Sequence, residues 1–374
     1  MAAIFTPGLK VKERTIVQRE RRLPLQGDVR VELGQSLRAD DVVARTELPG
    51  KVFPINLANK LGINASQLPE TMLVETGQPI TQGQVVARTA GFFGWFKSEA
   101  EAIVTGTIES VSSVTGQVIF QAAPIPVEID AYINGRVVEL IEGEGCVVQA
   151  SAALVQGIFG LGGEVKAPLR MVVKSPDERL LPDHIDPSMK GAILIGGGRT
   201  SLEALQRAIE VGAAGVVTGG FDYDDIREVL GYEVGVAITG GEKLGPTLLV
   251  TEGFGEIPMA AATWELLGSL EGRQASMNGA TQIRAGVIRP EVVVPLDDDV
   301  PTEKVAPAPP TGIGVGQAIR GIRTPHFGRL GTVVDLPVEP VVLDTESKAR
   351  VMRVRFEDGS EVVVPRANVE VIER

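Results

Sequence analysis

Two sixteen-residue segments near the N terminus are almost the same, and this internal repeat constrains the fold more than any other feature. Residues 31–46 read VELGQSLRADDVVART and residues 74–89 read VETGQPITQGQVVART. They align without a gap at an offset of 43 residues, which indicates a duplicated structural unit. The repeat predicts the architecture of the first third of the chain. It does not by itself indicate a reaction.

Length, charge and cysteine content bound the class of protein. A chain of 374 residues is long enough for two or three domains. Its net charge of −12 argues against coating nucleic acid or binding an anionic membrane surface. The longest uncharged run, residues 145–163, is too polar and glycine-rich to span a bilayer, so we predict no membrane segment.

A single cysteine, Cys146, excludes an intramolecular disulfide and a multi-cysteine zinc site. We therefore expect a reducing, cytoplasmic setting. With no histidine nearby in the sequence, Cys146 is better interpreted as a buried small apolar residue than as a nucleophile.

The N-terminal half divides into a basic segment and a β-rich domain. Residues 1–25 carry six Lys or Arg against two Glu, which predicts a solvated arm or an edge strand. Docking of this arm onto an acidic partner is the alternative. Residues 26–168 show short strands bounded by glycine and proline, with almost no helical periodicity, and this pattern predicts an all-β barrel or sandwich. The predicted strands are 51–56, 72–75, 85–89, 107–111, 117–121, 126–129 and 136–141.

Residues 169–295 alternate apolar strands with helices, which predicts a mostly parallel α/β domain. The predicted strands are 170–174, 192–195, 215–218, 234–238 and 247–251, and the predicted helices are 201–211, 223–230 and 258–270. Thr200 and Glu203 match a capping box at the start of the first helix. Asn278-Gly279 predicts a hairpin turn that adds an antiparallel extension to this domain.

The C-terminal part returns to β structure. Residues 296–311 are acidic and then Pro/Ala-rich, which predicts an extended, semi-rigid linker. Residues 312–374 predict a small barrel with strands at 317–322, 331–335, 349–356 and 360–365, and with a hairpin turn at Asp358-Gly359. The chain as a whole predicts a multidomain α+β protein.

The repeated segment resembles the barrel-sandwich hybrid fold of biotinyl and lipoyl carrier domains and of efflux-pump adaptors. Gly77, Ile80, Gly83 and Val86 match the spacing of the hammerhead motif in that fold. The resemblance implies a β domain of about a hundred residues, and carriers of this fold modify a lysine in a characteristic tip motif. That motif is missing here, with Lys97 the only lysine near the second copy, so we predict no attached cofactor.

The segment GQAIRGIRTPHFGRLGTVVDL resembles the KOW motif of transcription elongation factors and ribosomal proteins. The resemblance implies an SH3-like barrel that binds RNA or a protein surface. A basic rim from Arg320, Arg323, His326 and Arg329 is the candidate partner-binding site. Because residues 312–374 hold nine Lys/Arg and nine Asp/Glu, the sequence favours a protein partner over nucleic acid.

Glycine-rich loops that follow the predicted parallel strands form the candidate ligand site. The loops GGGRTS (residues 196–201) and TEGFGE (residues 251–256) should lie at the carboxyl edge of the sheet, where open α/β folds bind ligands. A small phosphorylated or nucleotide-like ligand suits such loops. A tight turn or a domain interface explains the same glycines. The candidate residues are Gly196, Gly197, Gly198, Arg199, Thr200, Thr251, Glu252, Gly253 and Gly255.

The sequence contains no recognisable catalytic or metal-binding motif. With only His184 and His326, histidine-based acid–base catalysis has few candidates. The sequence therefore favours a non-catalytic binding or scaffolding protein. In this hypothesis the tethered barrel and the β domain engage two surfaces at once. A ligand-binding or enzymatic α/β domain and a nucleic-acid-associated factor are the alternatives. The oligomeric state stays open.

Overall fold

The computed structural model describes residues 6–89, 98–230, 237–238, 245–282, 288–296, 304, 313–321, 325–326, 329–337, 341–342 and 348–373. The protein is predominantly β, with one large mixed sheet. Within these ranges the sheet runs from the strand at 159–161, through the parallel strands between 164 and 254, to the strands at 274–278, 291–295 and 145–156. It continues through the N-terminal strand at 6–22 to the strands between 318 and 373, of which 361–365 forms the far edge, and the strands at 135–141 and 36–37 branch from 145–156.

The region of the repeat is built mostly from short strands. Residues 57–120 enclose an apolar core of their own, whereas Val31, Leu37 and Val43 of the first copy share a core with residues 146–154 and Val293. Its strands are β1 (Thr6–Arg22), β2 (Asp28–Val29), β3 (Ser36–Leu37), β4 (Val42–Leu48), β5 (Val52–Asn56), β6 (Pro79–Ile80), β7 (Val85–Arg88), β8 (Glu99–Glu101), β9 (Gly106–Val111), β10 (Gln117–Ala122), β11 (Ile125–Asp130) and β12 (Gly135–Ile141). Two short helices, α1 (Leu57–Leu61) and α2 (Leu68–Thr71), were not anticipated by the all-β prediction. Lys97 lies outside the described residues.

Both copies of the repeat form the same turn. Gly34 and Gly77 have φ of 83° and 85°, a left-handed conformation that favours glycine. The next residue, Gln35 or Gln78, closes the turn, because its side-chain Oε1 accepts the backbone N–H three residues earlier, at 2.9 and 3.3 Å. The duplication seen in the sequence is therefore a duplication of local structure.

The middle region contains strands β13 (Gly145–Gln156), β14 (Phe159–Leu161), β15 (Glu164–Met171), β16 (Ile193–Ile195), β17 (Gly215–Phe221), β18 (Ala237–Ile238), β19 (Thr247–Phe254), β20 (Gln274–Asn278), β21 (Thr281–Gln282) and β22 (Glu291–Pro295). Its helices are α3 (Leu202–Val211), α4 (Tyr223–Leu230) and α5 (Ala261–Ser269). Strands β15, β16, β17 and β19 pair in parallel. Both faces of this parallel sheet carry apolar clusters, as a sheet covered on both sides requires.

Three local predictions in this region are wrong. The strand at 237–238 pairs with β21 and not with the parallel strands, and β21 is therefore no hairpin partner of β20. The antiparallel extension instead comes from β20, which pairs with β15 and β22. The predicted capping box of Thr200 and Glu203 is not the cap of helix α3. The helix is capped by Ser201, whose hydroxyl accepts the Ala204 N–H at 3.1 Å.

The basic N-terminal segment forms β1, a strand inside the large sheet rather than a solvated arm. Over residues 15–22 it pairs antiparallel with β13, and near its start it pairs in parallel with the last strand of the chain. Arg19 is bound by Glu291 of β22, and Arg21 by Glu164 of β15 at 2.7 Å. These two arginines are therefore already neutralised within the chain.

The described residues from 313 to 373 form what we call the C-terminal module. Its strands are β23 (Ala318–Gly321), β24 (Leu330–Asp335), β25 (Val341–Val342), β26 (Lys348–Ala349), β27 (Val351–Phe356), β28 (Glu361–Pro365) and β29 (Val369–Glu373). The hairpin at Asp358-Gly359 is present between β27 and β28, with Gly359 at φ 81°. Because β29 pairs with β1, the module is docked on the rest of the chain and does not hang free on its linker.

Candidate functional site

A buried group of four charged side chains joins the C-terminal module to the parallel strands. Arg320 on β23 and Glu370 on β29 are cross-strand neighbours, and their side chains are only 1% and 2% exposed. Glu252 on β19 and Arg289 complete the group, at 8% and 9% exposed. We call these four residues the Arg320 network. Two cations and two anions compensate each other, which buried charges require.

Arg320 is the centre of the network. Its Nε and Nη2 donate to Oε1 of Glu370 at 2.8 and 2.6 Å. Its Nη1 donates to the backbone carbonyls of Thr251 and Glu252, both at 2.9 Å, and to Glu252 Oε2 at 3.1 Å. Arg320 thus bonds to its own module on one side and to β19 on the other. It lies inside the molecule and not on an exposed rim.

Arg289 and Glu252, the other members of the network, also form hydrogen bonds. Arg289 Nη2 donates to Glu370 Oε2 at 2.6 Å, so each oxygen of that carboxylate faces a different arginine. Oε1 of Glu252 accepts the backbone N–H of Ala260 at 3.1 Å, just before α5. Glu370 was not predicted from the sequence as a site residue. Its role depends on tertiary packing, because strand alternation alone predicts that Arg320 and Glu370 lie on the outer face of their strands.

The glycine-rich loops at the carboxyl edge are closed by backbone hydrogen bonds among themselves. The N–H groups of Gly196, Gly198 and Thr200 donate to the carbonyls of Val217, Glu178 and Gly220. Those of Gly219 and Gly220 donate back to the loop at 197–198. These are the donors that an anion cradle would need, and they are occupied by protein carbonyls.

Close backbone packing accounts for several of the same glycines. A Cβ at Gly220 would lie 2.1 Å from the Gly255 carbonyl oxygen, and a Cβ at Gly197 would lie 2.2 Å from that of Ser175. Neither position has room for a side chain. The structure thus brings the two predicted loops together through Gly220, which is opposite Gly253 in the β17–β19 pairing. Gly197 and Gly220 therefore allow close backbone contact.

Arg199 lies beside this edge in a cluster of partly buried charges. Its guanidinium bonds to Asp222, Asp225 and Glu256, at 2.5, 2.9 and 3.0 Å. Arg179 also binds Glu256, and this hydrogen bond is the main cause of the lowered pKa of that carboxyl. A cavity of about 360 Å³ borders the two arginines and the start of α3. The carboxylates around Arg199 outnumber the two cations, which disfavours an anionic ligand there.

A larger cleft of about 720 Å³ lies between the C-terminal module and the loop that leads into α5. One wall consists of small, apolar side chains, those of Pro258 and residues 260–262. The other wall contains Leu330, Phe356 and Arg329. Glu252 of the Arg320 network also borders it. The cleft marks the part of this junction that is not closely packed.

The predicted basic rim is only partly assembled. Arg329 is 34% exposed, stacks over Phe356 at 4.1 Å, and bonds to Asp358 at 2.5 Å and to Ser360 at 2.9 Å. His326 Nδ1 lies 3.3 Å from Nη1 of Arg329. Arg323 lies outside the described residues. Of the described rim residues, Arg320 is buried and Arg329 is paired, so neither offers a cation that is free of an acidic neighbour.

Tyr132 is a second unusual buried residue, where the repeat region meets the large sheet. It has φ 67°, a conformation that costs a bulky residue about 1–3 kcal/mol. Its N–H donates to the Asp130 side chain and to the Ala39 carbonyl, both at 3.0 Å, and its carbonyl accepts the Ser276 hydroxyl. Burial raises the pKa of its phenol well above the ordinary value, so the group stays neutral.

The Tyr132 hydroxyl is buried without a hydrogen-bond partner among the described atoms. We therefore expect Tyr132→Phe to keep or raise the free energy of unfolding, by up to about 1 kcal/mol, because a buried unbonded hydroxyl is unfavourable. Ser276→Ala is the matched control, since that hydroxyl has a partner, and it should cost about 1 kcal/mol. Urea unfolding measures both. A loss above about 1 kcal/mol in Tyr132→Phe would mean that the hydroxyl bonds to an internal water.

Cys146 is fully buried, as predicted, and burial raises the pKa of its thiol to about 11. The raised pKa favours the folded state below about 9, and this contribution is lost as the pH rises toward about 11. We expect a thiol reagent to leave the native protein unmodified at neutral pH and to modify it fully after denaturation. Stoichiometric reaction of the native protein would contradict the buried position.

No protein-family model and no curated protein sequence matches this chain. In the part of the chain that the structure describes, no three His, Cys, Asp or Glu side chains come together to suit a metal ion. None of the described helices is long and apolar enough to cross a lipid bilayer. Evidence about function therefore comes from the geometry of the chain itself.

Proposed function

We propose that this chain is a non-catalytic binding or scaffolding protein that docks macromolecular partners through β surfaces. In this proposal it is a multidomain α+β protein, with a duplicated barrel-sandwich-like domain, a parallel α/β domain and an SH3-like C-terminal barrel. The observation that supports it best is the Arg320 network. Four buried charges pair with one another where the β module meets the parallel strands.

The outward face of the C-terminal module is the proposed docking surface, with a protein as partner. Strands β24, β27 and β28 expose Thr332, Arg353, Arg355 and Val363 there, and Val363 is 54% exposed. Because the module is docked, the mechanism differs from the tethered barrel that the sequence predicts. A module fixed in the large sheet presents its face in one orientation, so preorganisation rather than a flexible tether supplies the advantage in affinity.

Affinity purification from native lysate, followed by mass spectrometry, tests this function. Val363→Asp should remove the partners that the native chain retains, because it places a charge on the proposed face. Val114→Asp is the matched control, since Val114 is 86% exposed on the β9–β10 turn, away from the module. Partners that survive Val363→Asp, or that both variants lose equally, would contradict a docking role for this face.

Nucleic-acid binding has less support. Cations of the basic N-terminal segment and of the predicted rim bind carboxylates, as in Arg19–Glu291, Arg320–Glu370 and Arg329–Asp358. Phosphate binding needs several uncompensated cations. An RNA shift at low salt that weakens steeply with added salt would favour this alternative over a protein partner. The single buried thiol fits a reducing compartment, and we infer a cytoplasmic location from it.

A further inference from the structure

The C-terminal module has an apolar core of its own. Its cluster consists of buried residues from the module alone, among them Ile319, Val333, Val354, Phe356 and Val371. The other apolar clusters of the described chain contain no residue of the module. Its core therefore needs no apolar side chain from the rest of the chain.

The junction with the remaining structure includes buried charges and one short ladder. The charges are the Arg320 network, and the ladder joins β29 to the first residues of β1. Charged groups regain hydration when such a junction opens, so opening costs less than exposing an apolar interface of the same size. The cleft of about 720 Å³ leaves part of this junction unpacked.

The module covers an irregular point of the parallel sheet. Along β17 and β19, Thr218 pairs with Val250 and Gly220 pairs with Gly253, so Thr251 and Glu252 together lie opposite Gly219. This extra residue is a β-bulge, a feature that re-aims backbone groups and is common beside functional sites. The two bulged residues are those whose carbonyls accept Nη1 of Arg320.

We propose that the C-terminal module is a reversible cap on the parallel sheet, held closed by the Arg320 network. Release of the cap uncovers the bulge at Thr251–Glu252 and widens the adjoining cleft. This proposal rests on the junction alone, so it is independent of which partner the outer face of the module binds.

The distance across the cleft tests the cap in the full-length chain. Ala262 and Glu357 are exposed residues on opposite walls of the cleft, and cysteines introduced there can carry spin labels. Cys146 is buried and should not be labelled. Pulsed electron paramagnetic resonance should give one predominant short distance in the otherwise native chain and a small population at longer distances.

Glu252→Gln is the decisive variant. It removes the charge on the β19 side of the junction, keeps an oxygen for the Ala260 N–H, and leaves Arg320 paired with Glu370 inside the module. We expect the long-distance population to rise about tenfold, which corresponds to docking weakened by about 1.4 kcal/mol. Arg355→Gln, which breaks an exposed Arg–Glu pair of the same module, should leave the distances unchanged.

Two results would overturn the proposal. One is an unchanged distance distribution in both Glu252→Gln and Glu370→Gln. The other is loss of the module's own fold together with its docking, seen as simultaneous hydrogen exchange of the β24–β27 ladder and of the β1–β29 ladder in Glu252→Gln. A cap requires the β24–β27 ladder to stay protected while the β1–β29 ladder opens.

Discussion

Replacing Arg320 with alanine is expected to destabilise the docked structure by about 3–5 kcal/mol. The substitution leaves Glu370 and Glu252 as buried carboxylates without the cation that binds both of them. The cost is the desolvation of charges that the arginine compensated. Urea unfolding of the native chain and the variant, followed by circular dichroism, measures it.

The C-terminal module contains a matched control for this prediction. Arg355 and Glu361 also form a cross-strand pair, on β27 and β28, but their side chains are 59% and 38% exposed. Arg355→Ala should therefore cost at most about 1 kcal/mol. Equal effects of the two substitutions would show that burial of the Arg320 network contributes nothing, and would contradict its role at the junction.

Gly220→Ala is expected to cost about 3 kcal/mol, the second-largest effect. The new Cβ would lie 2.1 Å from the Gly255 carbonyl oxygen and 3.0 Å from the Ile257 nitrogen, and backbone atoms cannot rotate away. Thermal unfolding measures the loss. Gly191→Ala is the control: its φ of 72° is strained for alanine, but a Cβ there meets no atom within 4 Å. It should cost about 1 kcal/mol.

The same experiment separates two interpretations of the glycine-rich edge. If the glycines exist for close packing of loops, Gly220→Ala lowers stability in the absence of any ligand. If they exist to leave room for a ligand, the variant keeps its stability. An unchanged melting temperature would therefore contradict the packing interpretation and favour the ligand hypothesis for residues 196–200 and 251–255.

The turn of the repeat also occurs at Gly83-Gln84 and in the C-terminal module. Gly316 has φ 87°, and the next residue, Gln317, accepts the Gly314 N–H on its side-chain oxygen at 2.7 Å. Gly34-Gln35 and Gly77-Gln78 are built in the same way. The sequence pattern glycine, glutamine, any residue, then Ile, Leu or Val occurs at each of these sites. The alignment of the two repeat copies pairs only Gly34-Gln35 with Gly77-Gln78.

Features that depend on neighbours in the sequence were predictable. The repeat, the positions of most strands between 51 and 141, the Asp358-Gly359 hairpin and the burial of Cys146 follow from alternation and turn residues. Features that depend on distant pairing were not. The turn at Asn278-Gly279 has strong hairpin residues, yet Thr281 and Gln282 pair with residues 237–238. A turn sequence does not specify which strand its outgoing segment meets.

The amino-acid sequence alone determined the local β structure, the strand–helix alternation of the middle region and the absence of recognisable catalytic motifs. Only the tertiary structure decided that Arg320 and Glu370 are buried. On β23 and β29 both residues alternate with the apolar residues of the module core, a pattern that predicts exposure to solvent. These two residues form the junction because the outer face of their strands lies against β19. There they are buried beside Glu252 and Arg289 and form specific hydrogen bonds with them, where the pattern alone predicts solvated charges.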